Sequence, residues 1–356
     1  MPGLLNHPPF PDDVPTHPLL IVDYELLKAG DANEIEKFWT AATTLGFWYM
    51  KNHGADELVN EMFDMGNETM RLPLEEKMKF EQGDDGMSFG YKAAGANAVD
   101  ETGALDTVEF INISQDDALA WPRPVHRTYP ATVNARMENT IRPFVQLSAE
   151  VNRTLMEILG KKLGFKEGKL SELHRLDETS GSETRCIRNP PRPGGISEEK
   201  AALGAHTDFG SMTFLHNRLG GLQVMPPGSD KWQYIKPIPG HAVCNLGDAM
   251  HIFSGGILKS NLHRVVPSPG AQAVLPRWSL AMFTRPSDTV ILRALTEDSA
   301  LVADAVANAT NKDVFKSGQT SKEWFARRIK YQRTKNQKGP ETWRQSRGTE
   351  HRPEAA

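Results

Sequence analysis

Between residues 185 and 285 the chain is divided into short apolar runs by turn residues, and that pattern leaves few architectures open. Strand-like stretches occupy 185–189, 205–215, 222–225, 232–235, 242–246, 263–267 and 277–285. Pro190-Pro191, Gly220-Gly221, Pro226-Pro227-Gly228 and Pro239-Gly240 separate most of them. Many short strands broken by regular turns predict a β-sandwich or barrel.

The first half reads differently. A short strand is expected at 19–24, then a helix over 31–45 with Ile35, Phe38, Trp39 and Ala42 on its apolar face and Gly46 as its stop. A strand at 47–51 and a helix over 56–70, burying Leu58, Met62, Phe63 and Met70, follow. Residues 81–97 are irregular and punctuated by glycine. From 131 to 162 Val133, Met137, Ile141, Phe144, Val151, Leu155 and Ile158 recur at helical spacing, the pattern of one long helix with Pro143 as a kink. Such a helix needs a large apolar partner, and the sheet of the second half supplies one. The parts 18–130 and 131–338 are therefore expected to form one integrated α+β unit, with 1–17 as an arm over the surface. The basic stretch 322–338 carries Trp324, Phe325 and Ile329 near one helical face. It is expected to pack that edge on the domain while its cations stay solvated, and 339–356 is expected to be disordered.

Composition narrows the function classes. A net charge of −4 makes no electrostatic case for nucleic acid. The two cysteines, Cys186 and Cys244, give no disulfide framework and lie in apolar runs, so they read as buried thiols in a reducing compartment. Neither a secretory signal nor a run of about 18 apolar residues is visible. The expected setting is the cytoplasm.

Within the β-rich half the chemistry gathers at His206-Thr207-Asp208. Successive strand side chains alternate, so His206 and Asp208 are expected on the same side, able to reach one cation, with Thr207 pointing away. Such a pair alone is weak, because a lone strand histidine is more often packing than ligand. A third donor, His263 in His263-Arg264-Val265, would complete two imidazoles and one carboxylate on one face of a metal, the facial triad of non-haem Fe(II) oxygenases. Further on, alternation from Arg277 to Phe283 puts Arg277, Ser279, Ala281 and Phe283 on one face. An inward guanidinium and hydroxyl are costly to bury without an anion, and the arginine fork fits a carboxylate. His216 and His251 lack a carboxylate at matching spacing and are expected to be structural. Asp248, beside Gly247, is expected to serve a turn or to steady a ligand.

In order, H-T-D, the N-L-G-D of 245–248, H-R-V and R-W-S resemble the isopenicillin N synthase-like group of Fe(II)- and 2-oxoglutarate-dependent oxygenases. Residues 20–23 and 46–54 are similar to that group's N-terminal region, so the likeness spans roughly 18 to 290. The resemblance implies a distorted double-stranded β-helix, the cupin-like jelly roll, flanked by helices. It implies Fe(II) on His206, Asp208 and His263, and 2-oxoglutarate with its far carboxylate on Arg277 and Ser279. With O2 as oxidant, a small organic molecule would be hydroxylated, desaturated or cyclised, with release of succinate and CO2. No nucleic-acid, membrane or obligate protein partner is expected.

Tyr91, Lys92 and Glu109 fall where relatives border the substrate mouth, and Phe283 is expected in an apolar pocket with Arg285 at its rim. One departure stands out: residues 188–191 read R-N-P-P where many relatives carry a tyrosine second. Asn189 is thus the candidate co-substrate contact, leaving the gap to water or to a different pose. Two alternatives accompany the reading. One is a 2-oxoglutarate-independent Fe(II) oxidase of the isopenicillin N synthase type, which would form no succinate. The other is a non-catalytic metal- and ligand-binding protein on the same scaffold, against which the intact triad and R-x-S pair argue.

Overall fold

The computed structural model describes residues 7–192 and 202–349; the expectations for 1–6 and 350–356 lie outside the described residues. Its strands are β1 (Ile21–Asp23), β2 (Phe47–Lys51), β3 (Gly90–Lys92), β4 (Glu109–Ser114), β5 (Glu183–Asn189), β6 (Leu203–His206), β7 (Met212–Asn217), β8 (Leu222–Val224), β9 (Gln233–Tyr234), β10 (Ala242–Leu246), β11 (His263–Val265) and β12 (Arg277–Thr284). Eight form a sheet in the order β1-β2-β10-β7-β12-β5-β4-β3, and four a smaller one, β6-β11-β8-β9. All neighbours pair antiparallel except β1 with β2. This is the α+β jelly roll that the resemblance implied.

Alternation decides which face of the large sheet meets the helices. On β12, Trp278, Leu280 and Met282 enter the core shared with the helices, while Arg277, Ser279, Ala281 and Phe283 line the space between the sheets. Trp48 and Met50 of β2 divide from Phe47 and Tyr49 in the same way, the latter pair packing with Leu222 and Val224 of β8. Period two thus writes an apolar outer face and a mixed inner one into each strand.

The helix Ala32–Thr44 begins where Asp31 accepts from Glu34 N at 2.8 Å and ends before Gly46, whose φ of 78° suits a residue without Cβ. Residues 131–162 are not one helix. A short helix Ala131–Asn134 and a π-helical turn Met137–Ile141 precede the helix Arg142–Lys162. Pro143 falls in the first turn of that last helix, where its missing donor costs nothing, so the break lies ahead of it.

Two C-terminal expectations are corrected. The helix Ser321–Gln332 buries Phe325 and Ile329 as expected, yet Arg328 and Arg333 are buried as well. Residues 340–349 are ordered: a helix Pro340–Gln345 is followed by a fully buried Ser346. Polar composition suggested solvation there, but these polar groups are spent on internal partners. No described helix is long and apolar enough to cross a membrane, and Cys186 and Cys244 are free and buried.

His216 and His251 are structural, as expected. His251 Nδ1 donates to Leu258 O at 2.9 Å. His216 is buried with its ring 4.4 Å from that of Phe214, and its Nε2 has no hydrogen-bond partner among the described residues. Burial first, then the charges of His53 and Arg218, hold its pKa well below 6.5. Below that pH the unfolded chain takes up a proton at this position that the folded protein refuses. Stability therefore falls toward acid by about 1.4 kcal/mol per pH unit from this group alone. His216→Leu is expected to flatten the decline by that amount, measured as denaturant midpoints at pH 5 and 7.

Candidate active site

β6 ends at His206 and β11 begins at His263, and the two face each other directly in the ladder. Asp208 is not on a strand. It lies in the turn that carries the chain from the small sheet to β7 of the large one, so this crossover, rather than the pleat, returns its carboxylate toward the imidazoles. Asp208 Oδ1 lies 3.8 Å from His206 Nε2 and 3.6 Å from His263 Nε2. One donor atom from each residue lies within 4.8 Å of the others.

The remaining atoms of the three side chains are tied to the protein. His206 Nδ1 donates to Gly204 O at 2.7 Å and His263 Nδ1 to Asn261 O at 3.1 Å, which leaves both Nε2 lone pairs facing the shared space. Asp208 Oδ2 accepts from Thr213 Oγ1 at 2.5 Å and Asn245 Nδ2 at 2.7 Å, freeing Oδ1. Burial, then the charge of His263, pushes His206 down to about 3. Burial opposes ionisation of Asp208, but His263, His206 and its two hydrogen bonds together bring it to about 2. At neutral pH a neutral imidazole therefore adjoins an ionised carboxylate, and the N, N, O set fits Fe(II).

The N-L-G-D run acquires a physical meaning here. Asn245 holds the Asp208 carboxylate, and Asp248 N donates to Asp208 O at 2.9 Å. A Cβ on Gly247 would lie 2.3 Å from Gly210 O, so only glycine admits this approach. Asp248, fully buried, accepts from Thr207 Oγ1 at 3.2 Å, Ser260 Oγ at 2.9 Å and Thr349 Oγ1 at 2.5 Å, and pairs with Arg328. Arg328 Nη2 donates to Thr207 O at 2.9 Å, and Arg347 Nη1 donates to Ala205 O. The C-terminal segment thus grips the backbone on either side of His206.

Arg277 and Ser279 open into the same cavity as the three candidate metal donors. Arg277 Nε donates to Gly220 O at 2.9 Å and Nη1 to Ser279 Oγ. Burial lowers its pKa to about 10, so it remains a cation at neutral pH. No carboxylate among the described residues forms an ion pair with it. Asn189 stands opposite Arg277 in the ladder, but its Oδ1 accepts from Thr107 Oγ1 at 3.2 Å and it does not line the cavity.

Of the four candidate substrate residues, Phe283 lines the cavity and the other three do not. Glu109 points to the opposite face of β4, where it binds Lys77 at 2.8 Å, Tyr91 Oη at 2.7 Å and Arg188 at 2.8 Å. Lys92 is fully buried against Asp106 and donates to Val108 O at 2.8 Å. On either side of Glu109, Val108 and Phe110 reach the cavity instead, because that parity faces inward; Lys92, on β3 opposite Phe110, is kept from it by Asp106. Arg285 is no rim residue: it is buried, with its guanidinium 4.2 Å from the Phe325 ring. Arg185, Asn245 and Thr213 also line the cavity, and only alternation along β5, β7 and β10 hinted at them.

Two imidazoles and a carboxylate at the mouth of a jelly roll, with a buried arginine behind them, have the form of a mononuclear non-haem iron centre with an anion pocket. Residues 173–286 match the 2OG-Fe(II) oxygenase superfamily, and residues 19–150 match the family described as non-haem dioxygenase in morphine synthesis N-terminal. A homoarginine-6-hydroxylase of Oryza sativa subsp. japonica is 30% identical over 70% of this chain and 76% of its own length. A 2-oxoglutarate-dependent dioxygenase of Gibberella zeae is 26% identical over 81% of this chain and 85% of its own. Among solved structures, a full-length Neurospora crassa protein in complex with alpha-ketoglutarate superposes with a TM-score of 0.70 at 23% identity, covering 90% of this chain and 97% of that one.

The chain belongs to the 2OG-Fe(II) oxygenase superfamily. It is a dioxygenase that uses Fe(II), 2-oxoglutarate and O2.

Proposed function

We propose that His206, Asp208 and His263 hold the Fe(II), that Arg277 and Ser279 anchor the far carboxylate of 2-oxoglutarate, and that a small organic substrate is oxidised against the Phe110–Phe283 wall. The observation that carries this reading is a buried guanidinium without a counter-charge among the described residues, opening into the same cavity as three convergent metal donors. When bound, iron and co-substrate supply an oxidant for C–H bonds, with succinate and CO2 released.

The protein's own part is positional. The carbonyls of Gly204 and Asn261 fix both imidazole tautomers, and Thr213 and Asn245 fix the carboxylate. Arg277 orients one end of the co-substrate, while Leu215, Leu222 and Val265 keep that end of the cavity dry. No side chain is required as a general base. Net charge −4 gives no electrostatic case for a nucleic-acid partner, and two buried free thiols support a reducing setting such as the cytoplasm.

Anaerobic titration with Fe(II) and then 2-oxoglutarate is expected to develop a visible metal-to-ligand charge-transfer band, and turnover to yield succinate with product. In Arg277→Gln the 2-oxoglutarate concentration for half-saturation is expected to rise about 100-fold, the usual scale for a buried charge pair, with Fe(II) affinity nearly intact. Unchanged 2-oxoglutarate dependence in that variant would remove Arg277 from the assigned role.

A further inference from the structure

At the other end of the cavity from Arg277, the wall carries more positive charge than its own carboxylate neutralises. Glu183, fully buried, accepts from Arg185 Nη2 at 2.7 Å and from Arg285 Nη2 at 3.2 Å. Two guanidiniums on one carboxylate leave a surplus of one positive charge, and both arginines line the cavity. Their donors are only partly used. Arg185 gives Nε to Asn112 Oδ1 at 2.7 Å and Nη2 also to Ser88 Oγ at 3.4 Å, which leaves Nη1 without a hydrogen-bond partner among the described residues. Arg285 gives Nη1 to Gly181 O, and its Nε is buried with no hydrogen-bond partner among the described residues.

The bound cofactors do not absorb this surplus. With Fe(II), a 2-oxoglutarate dianion, Asp208 and Arg277 in place, the charges at the iron end sum to zero. A cation at an aromatic, largely dry wall is costly unless an anion meets it. The Arg185 guanidinium lies 4.3 Å from the centre of the Phe110 ring and 4.9 Å from that of Phe283. These rings hold its plane and leave an edge for a ligand. Val108 and Ile187 continue the apolar surface beside it.

We infer that the substrate is an organic anion, a carboxylate on an apolar or aromatic skeleton, whose charged end meets Arg185 and whose body lies along Phe110 and Phe283. This rests on the Fe(II) and 2-oxoglutarate reading for where the oxidised carbon sits. Arg185 binds and orients the substrate, and Glu183 holds Arg185 in place.

The test uses the protein loaded with Fe(II) and saturating 2-oxoglutarate under argon, which keeps other acids off Arg277. The probes are 3-phenylpropanoate, decanoate and their two primary amides, read both by perturbation of the charge-transfer band and by calorimetry. At least one acid is expected to bind about tenfold or more tightly than its amide, the scale of one charge-assisted hydrogen bond. Arg185→Gln is expected to erase that preference and Arg185→Lys to keep part of it, with the band itself unchanged in both. The inference is overturned if neither acid outbinds its amide in the unaltered protein, or if Arg185→Gln retains the preference. The first comparison needs no variant, so a variant that fails to fold leaves the inference open to refutation. Absence of the band in the unaltered protein would instead strike at the iron and co-substrate reading, while calorimetry would still decide for or against Arg185.

Discussion

Asp208→Ala is expected to lose both retained iron and succinate formation, the largest effect of any single substitution in this chain. The carboxylate is the only anion in the donor set, and its Oδ1 stands 3.6 and 3.8 Å from the two Nε2 atoms. Losing a hydrogen-bond partner of a metal ligand costs about 10- to 100-fold in affinity or activity. Losing the carboxylate leaves two imidazoles to hold a dication, and activity is expected to fall at least about 1000-fold, beyond that range. The fold should survive, because Asp208 lies in a turn and its side-chain partners, Thr213 and Asn245, are held by β7 and β10. Iron content after buffer exchange, together with the charge-transfer band, reads the result. Asp208→Ala protein that still carries one iron and turns over 2-oxoglutarate would remove Asp208 from the proposed ligand set, since the site has no other carboxylate to take its place among the described residues.

How far the residues alone reached depends on what each inference needed. Where alternation decides a face, as in Arg277, Ser279, Ala281 and Phe283, reading by twos placed every side chain correctly. For His206 and Asp208 the same rule reached the right pairing through the wrong geometry, because β6 stops at His206 and a crossover supplies the convergence. No local pattern records a crossover between two sheets. Tyr91, Lys92 and Glu109 failed for two reasons: Glu109 and Tyr91 share the face of β4 and β3 turned away from the cavity, whereas Lys92, in register with Phe110, is spent on Asp106. Arg185 sat in plain view in the run 185–189. Recognising it required the position of Glu183 and of two phenylalanines from β4 and β12. The tail was hardest, since Arg347 and Thr349 in a polar sequence look solvated until their partners, Ala205 O and Asp248, are known.

Those tail contacts make Arg328 the most sensitive position outside the iron site. Arg328 and Asp248 are both fully buried, and their pair joins the helix Ser321–Gln332 to the residue whose N–H holds Asp208 O. The segment after Ser346 seals the pair so closely that a Cβ on Gly348 would reach Asp248 Oδ2. Arg328→Met preserves much of the volume but strands the Asp248 carboxylate, which for a buried pair costs roughly 3–5 kcal/mol. Replacing both partners, Arg328→Met with Asp248→Asn, is expected to restore a large part of that loss, because the uncompensated charge goes with it. Thr207 O also loses its guanidinium donor, 2.9 Å away in the intact protein, and the turn carrying Asp208 is freed to drift. Fe(II) affinity, measured well below the melting transition, is therefore expected to fall about tenfold in Arg328→Met, at the low end for a group that holds a ligand in place. A loss of thermal stability with no change in iron affinity would confine the pair to the fold, whereas an unchanged melting temperature would show that the hydroxyls of Thr207, Ser260 and Thr349 alone satisfy the Asp248 carboxylate and that Arg328 is not what holds the turn.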